Sequence, residues 1–403
     1  MMPSFIPRSV FAKGLWARAP HVLAAVCLVA GAASLRAADG PAPSEVSHDP
    51  ARILSLMEKM ADAQLAQYGD KPPADWIAGA FYTGLAALYG AELGHNHPQY
   101  LEAAVAIADK YDWSLQPVGS PRIAHADNDC IGQLYIDLAL IKNDPSKLDN
   151  LIKQMDRVVA GYDNPTPENQ RAWAVNLARD GKPMPWWWCD SFFMAPPTLT
   201  RLSAVTGDPK YIDAMDKQWW ITTAKLYDKD EHLFYRDGGF INQKTPNGKK
   251  VFWGRGNGWV VAGLAHVLAY MPKDYPSRPK YEALFKDMCE KLRTLQPPDG
   301  MWRVSLLDPE SAPAPESSAS AFFCFAFTWG INHGLLDRTT FEPAARKAFD
   351  ALAGHILPSG LIGSVQKVSD RPQSVEPDAS MPYAVGGFLL SGAEMIRLDD
   401  AKK

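Results

Sequence analysis

The sequence predicts an all-α protein in which helical hairpins close into an (α/α)6 toroid, with a few short strands in its loops. First, a proline-initiated turn recurs 47 to 70 residues apart, and each turn joins two helical patterns. Second, about twelve helices with a 3.6-residue period follow residue 50. Third, no strand–helix–strand alternation appears. An open solenoid of helix pairs is the alternative, but irregular repeat lengths and long aromatic loops favour the closed ring.

The proline turns mark the positions of the predicted hairpins along the chain. A proline at the first helical position loses no hydrogen bond, and a preceding aspartate can cap the helix. The segments just upstream also show helical periodicity, for example 75–93, 131–141 and 198–205. Strand patterns are short and cover 232–235, 301–304 and 361–365. The turn prolines are Pro98, Pro145, Pro209, Pro279 and, in a looser version, Pro343.

The N-terminal segment has the pattern of a signal peptide. Arg8, Lys13 and Arg18 precede an apolar stretch over 21–35, and small residues follow at Ala37 and Ala38. We therefore expect residues 1–37 to be removed, residues 38–403 to form a single catalytic domain, and the protein to be periplasmic or secreted. An uncleaved N-terminal anchor is the alternative.

Composition excludes several classes of function. The 403 residues carry a formal charge of −4, and loss of the leader leaves 37 basic against 45 acidic residues. This argues against nucleic-acid binding, and no membrane association is expected after leader removal. The four remaining cysteines show no C-x-x-C spacing, so no metal or other cofactor is predicted. The 13 tryptophans suit either a helical core or a sugar-binding cleft.

One carboxyl group lies in an aromatic run over 185–197. Asp190 follows three tryptophans and precedes Phe192, Phe193 and Met194. Burial among such side chains raises the pKa of a carboxylic acid, which suits a general acid. The alternative is that Asp190 caps the helix that begins near Pro196.

A second segment, 125–133, places His125, Asp127 and Asp129 at the start of a helix. Taken alone, helix capping is the simpler interpretation, and a metal site lacks further ligands. A third segment, 253–259, has three glycines that allow a sharp turn at a helix entry and sets Arg255 between two tryptophans. Arg255 could pair with a substrate carboxylate, or stack on tryptophan for packing only.

A fourth segment, Glu316-Ser317-Ser318, precedes an inner helix of small residues. Either serine could bond a ligand, although capping is the favoured interpretation.

These motifs together resemble glycoside hydrolase family 105, the unsaturated rhamnogalacturonyl hydrolases, which is related to the family 88 unsaturated glucuronyl hydrolases. The resemblance rests on Trp-Trp-Cys-Asp-Ser-Phe-Phe-Met-Ala-Pro-Pro, on Trp-Gly-Arg-Gly-Asn-Gly-Trp, and on His-Ala-Asp before a Gly-Gln helix. It implies an (α/α)6 barrel. It also implies removal of a 4,5-unsaturated, galacturonyl-type uronic acid from the non-reducing end of lyase-generated oligosaccharides such as those from pectin, by protonation and hydration of the C4=C5 bond.

The resemblance also assigns roles to residues. Asp190 matches the proton donor and Asp127 a second active-site aspartate. The partner would be an unsaturated uronate oligosaccharide, with no cofactor, and the oligomeric state stays open. Arg236 lies where some members place a histidine. The expected substrate contacts are His125, Trp188, Met194, Arg236, Trp253 and Arg255.

Two alternative functions stay open at this stage. One is another six-hairpin carbohydrate enzyme, either a polysaccharide lyase or a sugar epimerase. The other is a secreted acidic-glycan-binding protein without turnover, in which the tryptophans only stack on sugars. A lyase would create the absorbance of a conjugated double bond, whereas the predicted hydrolase would remove it.

Overall fold

The computed structural model describes residues 48–91, 98–117, 124–174 and 176–400. The predicted signal peptide lies outside these described residues. From Ser47 onward the chain forms one compact unit. Among the described residues, no helix is both long enough and apolar enough to cross a membrane.

Twelve helices of eleven or more residues make up most of the described chain. They alternate between an outer and an inner layer. The outer helices are α1 (Pro50–Tyr68), α3 (Gln99–Lys110), α6 (Asp149–Asp163), α10 (Lys210–Leu226), α12 (Arg278–Thr294) and α14 (Arg338–Gly354). The inner helices are α2 (Trp76–Ala91), α5 (Gly132–Lys142), α9 (Pro196–Thr206), α11 (Gly254–Tyr270), α13 (Ser317–Asn332) and α15 (Pro382–Asp400).

The inner helices form a closed ring. Helix α2 packs against α5, α5 against α9, α9 against α11, α11 against α13, α13 against α15, and α15 against α2. The last contact joins the two ends of the series, so the predicted toroid is confirmed and the open solenoid is excluded. Helix α13 is buried from Ser317 to Ile331, as expected for a helix that is apolar on all sides.

Short elements occupy the loops between these helices. They are α4 (Ala126–Asp129), α7 (Pro167–Ala174), α8 (Ser191–Met194), the antiparallel pair β1 (Tyr227–Asp228) and β2 (Leu233–Phe234), and 3-10 turns at Pro145–Leu148, Gly238–Phe240 and Pro309–Ser311. The strand predicted over 232–235 is therefore present. The segments 301–304 and 361–365 form only isolated bridges, so predicting strands there was wrong. Their apolar residues fill the core beneath the loops.

One of the predicted proline turns is also wrong. Helix α14 begins at Arg338 and contains Pro343 in its interior. Asp337 caps this helix through a bond from the amide of Thr340 at 2.8 Å. Asp337 therefore sets the start of the helix, and Pro343, six residues further on, does not.

The inner ring depends on very close backbone approaches. A Cβ atom added to Gly386 of α15 would lie 2.2 Å from the carbonyl oxygen of Ala80 in α2. The same addition to Gly263 of α11 would lie 2.2 Å from the carbonyl oxygen of Phe192 in α8. These glycines let neighbouring elements touch through their backbones.

We expect Gly386→Ala to lower the free energy of unfolding by about 2 kcal/mol or more, because the added methyl group overlaps the α2 backbone. Urea denaturation measures this change. Gly354→Ala, at the end of α14, is the matched control because its new methyl group would meet nothing within 4 Å. Equal effects of the two substitutions would contradict the close-packing account.

Candidate active site

The structure brings two of the predicted segments, 125–133 and 185–197, together with the loop that carries Arg236. The backbone amide of Cys189 donates to the carbonyl of Arg236 at 2.8 Å. Trp188 also pairs with Asp237 in an isolated bridge. The ring of His125 lies 5.1 Å from that of Trp188. Residues separated by about a hundred positions in the chain therefore share one site.

Asp190 lies at the centre of this site. The helix that begins at Pro196, α9, has Ala195 at its N-cap, and the side chain of Asp190 makes no capping hydrogen bond to α8 either, so the capping alternative does not describe it. The residue is 8% exposed. Burial raises the pKa of its carboxyl group, while the nearby guanidinium groups of Arg236 and Arg255 act in the opposite direction. The thiol of Cys189 donates to Oδ2 at 3.6 Å.

Asp127 is the second carboxyl group of the site, on the short helix α4. Its Oδ2 lies 3.8 Å from Nδ1 of His125, and about a quarter of its side chain is exposed. Burial, reinforced by the charge of Asp190, raises the pKa of Asp127 to about 7, and Arg236 opposes this rise. The pKa of Asp127 thus depends on the ionisation of Asp190.

Asp129 is a third carboxyl group, which sequence reasoning treated only as a possible cap. It is fully buried, and neither oxygen has a hydrogen-bond partner among the described residues. Burial, with the charge of Asp127, raises its pKa well above the ordinary value. Burial therefore favours the protonated form of Asp129. Only its burial distinguishes Asp129 from Asp127, so nothing in the sequence indicated which of the two aspartates would be buried.

Arg236 supplies the positive charge beside Asp190. Its Nε lies 3.6 Å from Oδ2 of Asp190, and its Nη1 donates to Asp237 at 2.8 Å. Its guanidinium carbon also lies 5.1 Å from the ring centroid of Trp187. Neither Asp237 nor Trp187 was predicted, although Trp187 belongs to the same tryptophan run. Arg236 thus links Asp190 to Asp237 and Trp187.

Arg255 makes packing contacts, which the sequence analysis gave as the alternative to pairing with a substrate carboxylate. It is 1% exposed and stacked between Trp253 and Tyr383, with ring centroids 4.5 and 4.7 Å from its guanidinium carbon. It donates to the carbonyl of Gln366 at 2.7 Å and to that of Lys367 at 2.9 Å. The guanidinium thus holds the 366–367 loop, as the packing alternative expects, and its pairing with a substrate carboxylate stays a prediction.

Other expected substrate contacts are also largely enclosed. Met194 is 1% exposed, Trp253 2% and Trp188 4%. The indole nitrogen of Trp253 donates to Oε1 of Gln366 at 2.6 Å, so this tryptophan anchors the same loop as Arg255. Met194 and Trp253 are thus packed in this structure, and their contact with a sugar stays a prediction.

The glycines of the 253–259 motif serve close packing. They lie at the start of α11 with ordinary helical backbone, so the expected sharp turn is absent. A Cβ atom on Gly254 would lie 2.7 Å from the carbonyl oxygen of Arg303, and one on Gly256 would lie 3.0 Å from Sγ of Cys189. The motif thus presses α11 against the loop that carries Asp190.

The 316–318 segment is structural, as favoured from the sequence. The capping residue, however, is Glu316, which accepts bonds from the amides of Ser318 at 3.0 Å and Ala319 at 2.8 Å. The hydroxyl of Ser317 donates to the carbonyl of Gly363 at 2.6 Å. Neither serine hydroxyl is therefore directed to a ligand.

Within the described ranges, no group of three or more His, Cys, Asp and Glu side chains is placed to hold a metal ion. The site is suited to proton transfer. Two carboxyl groups with raised pKa values lie among tryptophans beside one guanidinium, on the loops of a six-hairpin toroid. That combination defines the class of carbohydrate-active enzymes that work by acid–base chemistry.

Sequence comparison identifies the family within this class. The model of glycosyl hydrolase family 88 matches residues 53–399. The chain therefore belongs to this family and is a glycoside hydrolase, which confirms the resemblance inferred from the motifs.

Two curated relatives carry the same name. The chain is similar to an unsaturated 3S-rhamnoglycuronyl hydrolase of Formosa agariphila, with 37% identity over 95% of this chain and 99% of that protein. It is also similar to an unsaturated 3S-rhamnoglycuronyl hydrolase of an Alteromonas species, with 30% identity over 84% of each protein.

Solved structures support the fold. A family 88 glycosyl hydrolase from Bacteroides vulgatus superimposes with a TM-score of 0.76 and 26% identity, covering 87% of this chain and 99% of that one. A protein described as a polysaccharide lyase has the same TM-score with 29% identity, covering 87% of this chain and 98% of that one.

The raised pKa of Asp127 predicts a pH-dependent stability. Its folded-state pKa of about 7 lies above the unfolded value, so the folded state is favoured at low pH and loses this advantage as the pH rises toward 7. We expect Asp127→Asn to raise the free energy of unfolding, relative to wild type, by at least about 1 kcal/mol more at pH 8 than at pH 5. Urea denaturation at the two pH values measures this.

Asp337→Asn is the control for that experiment. The hydroxyl and amide of Thr340 lower the pKa of Asp337, so its contribution is complete above the unfolded value and is lost only in stronger acid. Its substitution should therefore change stability equally at pH 5 and pH 8. An Asp127→Asn effect that is also equal at both values would refute the raised pKa.

Proposed function

We propose that this hydrolase removes a 4,5-unsaturated uronic acid from the non-reducing end of rhamnose-containing acidic oligosaccharides, with Asp190 as the proton donor. The observation that carries the proposal is the environment of Asp190. Its carboxyl group is buried, its pKa is raised by that burial, and a guanidinium lies 3.6 Å away to receive the negative charge once the proton has left.

The chemistry suits a single acid of this kind. The C4=C5 double bond of an unsaturated uronate is a vinyl ether, since C5 also bears the ring oxygen. Asp190 donates its proton to C4, and the positive charge that develops at C5 is shared with the ring oxygen. Arg236 stabilises the carboxylate that remains on Asp190.

Water completes the reaction. A water molecule adds to C5 and gives its proton to the Asp190 carboxylate, which restores the acid. The resulting hemiketal opens to a ketone at C5, and the hemiacetal centre left at C1 releases the next sugar with its oxygen as an alcohol. The balance is one water consumed, one double bond lost and one glycosidic bond cleaved.

Asp127 has a supporting role in this reaction. Burial and the charge of Asp190 raise the pKa of Asp127, and its partly exposed oxygens can orient the incoming water. His125, 3.8 Å from Asp127, would hold that side chain in place. Ordinary glycosidases divide into two classes, in which the two carboxylates lie about 5 Å or about 6.5–9.5 Å apart. That rule does not govern this reaction, because its first step is protonation of the C4=C5 bond and not a displacement at C1.

The names of the two curated relatives support a rhamnoglycuronyl oligosaccharide as the substrate. The galacturonyl oligosaccharide of pectin, which the sequence motifs favoured, is the second candidate. We also propose that the protein is exported to the periplasm or beyond after cleavage of residues 1–37, which is supported by the basic start and the apolar stretch of that segment.

Asp190→Asn should lower kcat/KM about a thousandfold or more, because an amide cannot donate an acidic proton. The measurement is the loss of ultraviolet absorbance from unsaturated oligosaccharides of both candidate types. Asp180→Asn, on an exposed loop, is the matched control. Activity of Asp190→Asn close to wild type would remove it from the acid role. Absorbance that grows on intact polysaccharide would indicate a lyase, and binding without turnover a glycan-binding protein.

Arg236→Gln should move the high-pH limb of the kcat profile upward by about one pH unit or more. The guanidinium favours the carboxylate form of Asp190, so its loss raises the pKa of that group and the acid keeps its proton to higher pH. Arg236→Lys retains the charge and should shift the limb less. An unchanged limb, or one that moves downward, would show that Arg236 does not act on the donor.

A further inference from the structure

A cavity of about 540 Å³ lies in the loops next to the site, and the reaction described above does not use it. Its walls come from three loops, within the ranges 240–251, 304–314 and 371–375. A volume of this size falls within the range of pockets that hold small organic ligands.

Covalent and hydrogen-bonded connections tie this cavity to the catalytic loops. Asp237, the partner of Arg236, caps the turn Gly238–Phe240 through a bond from the amide of Gly239 at 2.7 Å. Phe240 then lines the cavity, and the guanidinium carbon of Arg371 lies 5.3 Å from its ring centroid. One wall therefore begins directly beside the Arg236–Asp237 pair.

The opposite side of the cavity is tied to Trp253. Ser305, which lines the cavity, pairs with Trp253 in an isolated bridge. Gln366, held by Trp253, donates from Nε2 to the carbonyl of Arg371 at 2.7 Å. The loop that Trp253 anchors therefore continues into the cavity wall.

The chemistry of the lining is suited to a charged sugar chain. The lining residues include the cations Lys244 and Arg371 and several amides and hydroxyls, and none of them is aspartate or glutamate. Arg371 is paired with Asp370, just outside the lining, through Nε at 2.6 Å and Nη2 at 2.8 Å. Ser305 is 1% exposed, and its hydroxyl has no hydrogen-bond partner among the described residues. A buried hydroxyl without a partner is costly unless a ligand or water satisfies it.

We propose that this cavity is a distal subsite for the leaving chain, which binds anionic sugar units beyond the one attached directly to the unsaturated uronate. This inference rests on the proposed function. It makes the enzyme sensitive to chain length: an unsaturated tetrasaccharide reaches the cavity, whereas a disaccharide ends before it.

The test compares kcat/KM for an unsaturated disaccharide and tetrasaccharide from one acidic, rhamnose-containing polysaccharide, followed at the double-bond absorbance. Wild type should prefer the tetrasaccharide. Gln373→Trp fills the cavity from an exposed position, and Lys244→Ala removes one of its cations. Each should lower the tetrasaccharide-to-disaccharide ratio of kcat/KM by about tenfold.

Lys249→Ala is the matched control, because Lys249 is an exposed lysine of the same turn that does not line the cavity. It should leave the ratio at the wild-type value. A wild-type ratio near one, or variants that lower both rates equally, would overturn the subsite while the hydrolase function stands. Absence of hydrolysis at every chain length would instead overturn the proposed function, and the subsite with it.

Discussion

The balance between burial and a neighbouring cation at Asp190 is the physical constraint on which the site depends. Burial among tryptophan and phenylalanine side chains disfavours the carboxylate, and the guanidinium of Arg236 favours it. Burial alone would hold the proton too firmly, and a fully compensating ion pair would remove it at neutral pH. At 3.6 Å, without a hydrogen bond, Arg236 lies near enough to receive the charge after the proton has left.

The rest of the fold maintains that balance. The aromatic run that encloses Asp190 continues into α8, whose backbone touches α11 at Gly263. Gly256 of the same helix brings Cys189, the immediate neighbour of Asp190, against the start of α11. Arg255 and Trp253 then fix the 366–367 loop above it. The 253–259 motif, which suggested a ligand site from the sequence, thus provides rigid support for the position of Asp190.

The carboxyl groups show how far sequence reasoning reaches. Asp190 stands out because its aromatic neighbours adjoin it in the chain, so its local sequence describes its environment. Asp127 and Asp129 stand two residues apart in one polar segment, and their difference comes from which of them faces the packed interior between α4 and α8. The partners of Arg255 lie more than a hundred positions away, so nothing near it in sequence distinguishes an open clamp from a buried anchor.

By itself, the sequence determined the all-α class, the number of long helices, the aromatic setting of Asp190 and the family resemblance, because each of these depends on residues that are close together in the chain. Helical periodicity and proline turns are local properties, and twelve such helices leave few ways to bury their apolar faces. Only the tertiary structure decided that Arg236 faces Asp190, that Arg255 holds a loop, and that Asp129 is buried. Charges and hydrogen bonds act through space, and the ring brings together side chains from loops far apart in the sequence.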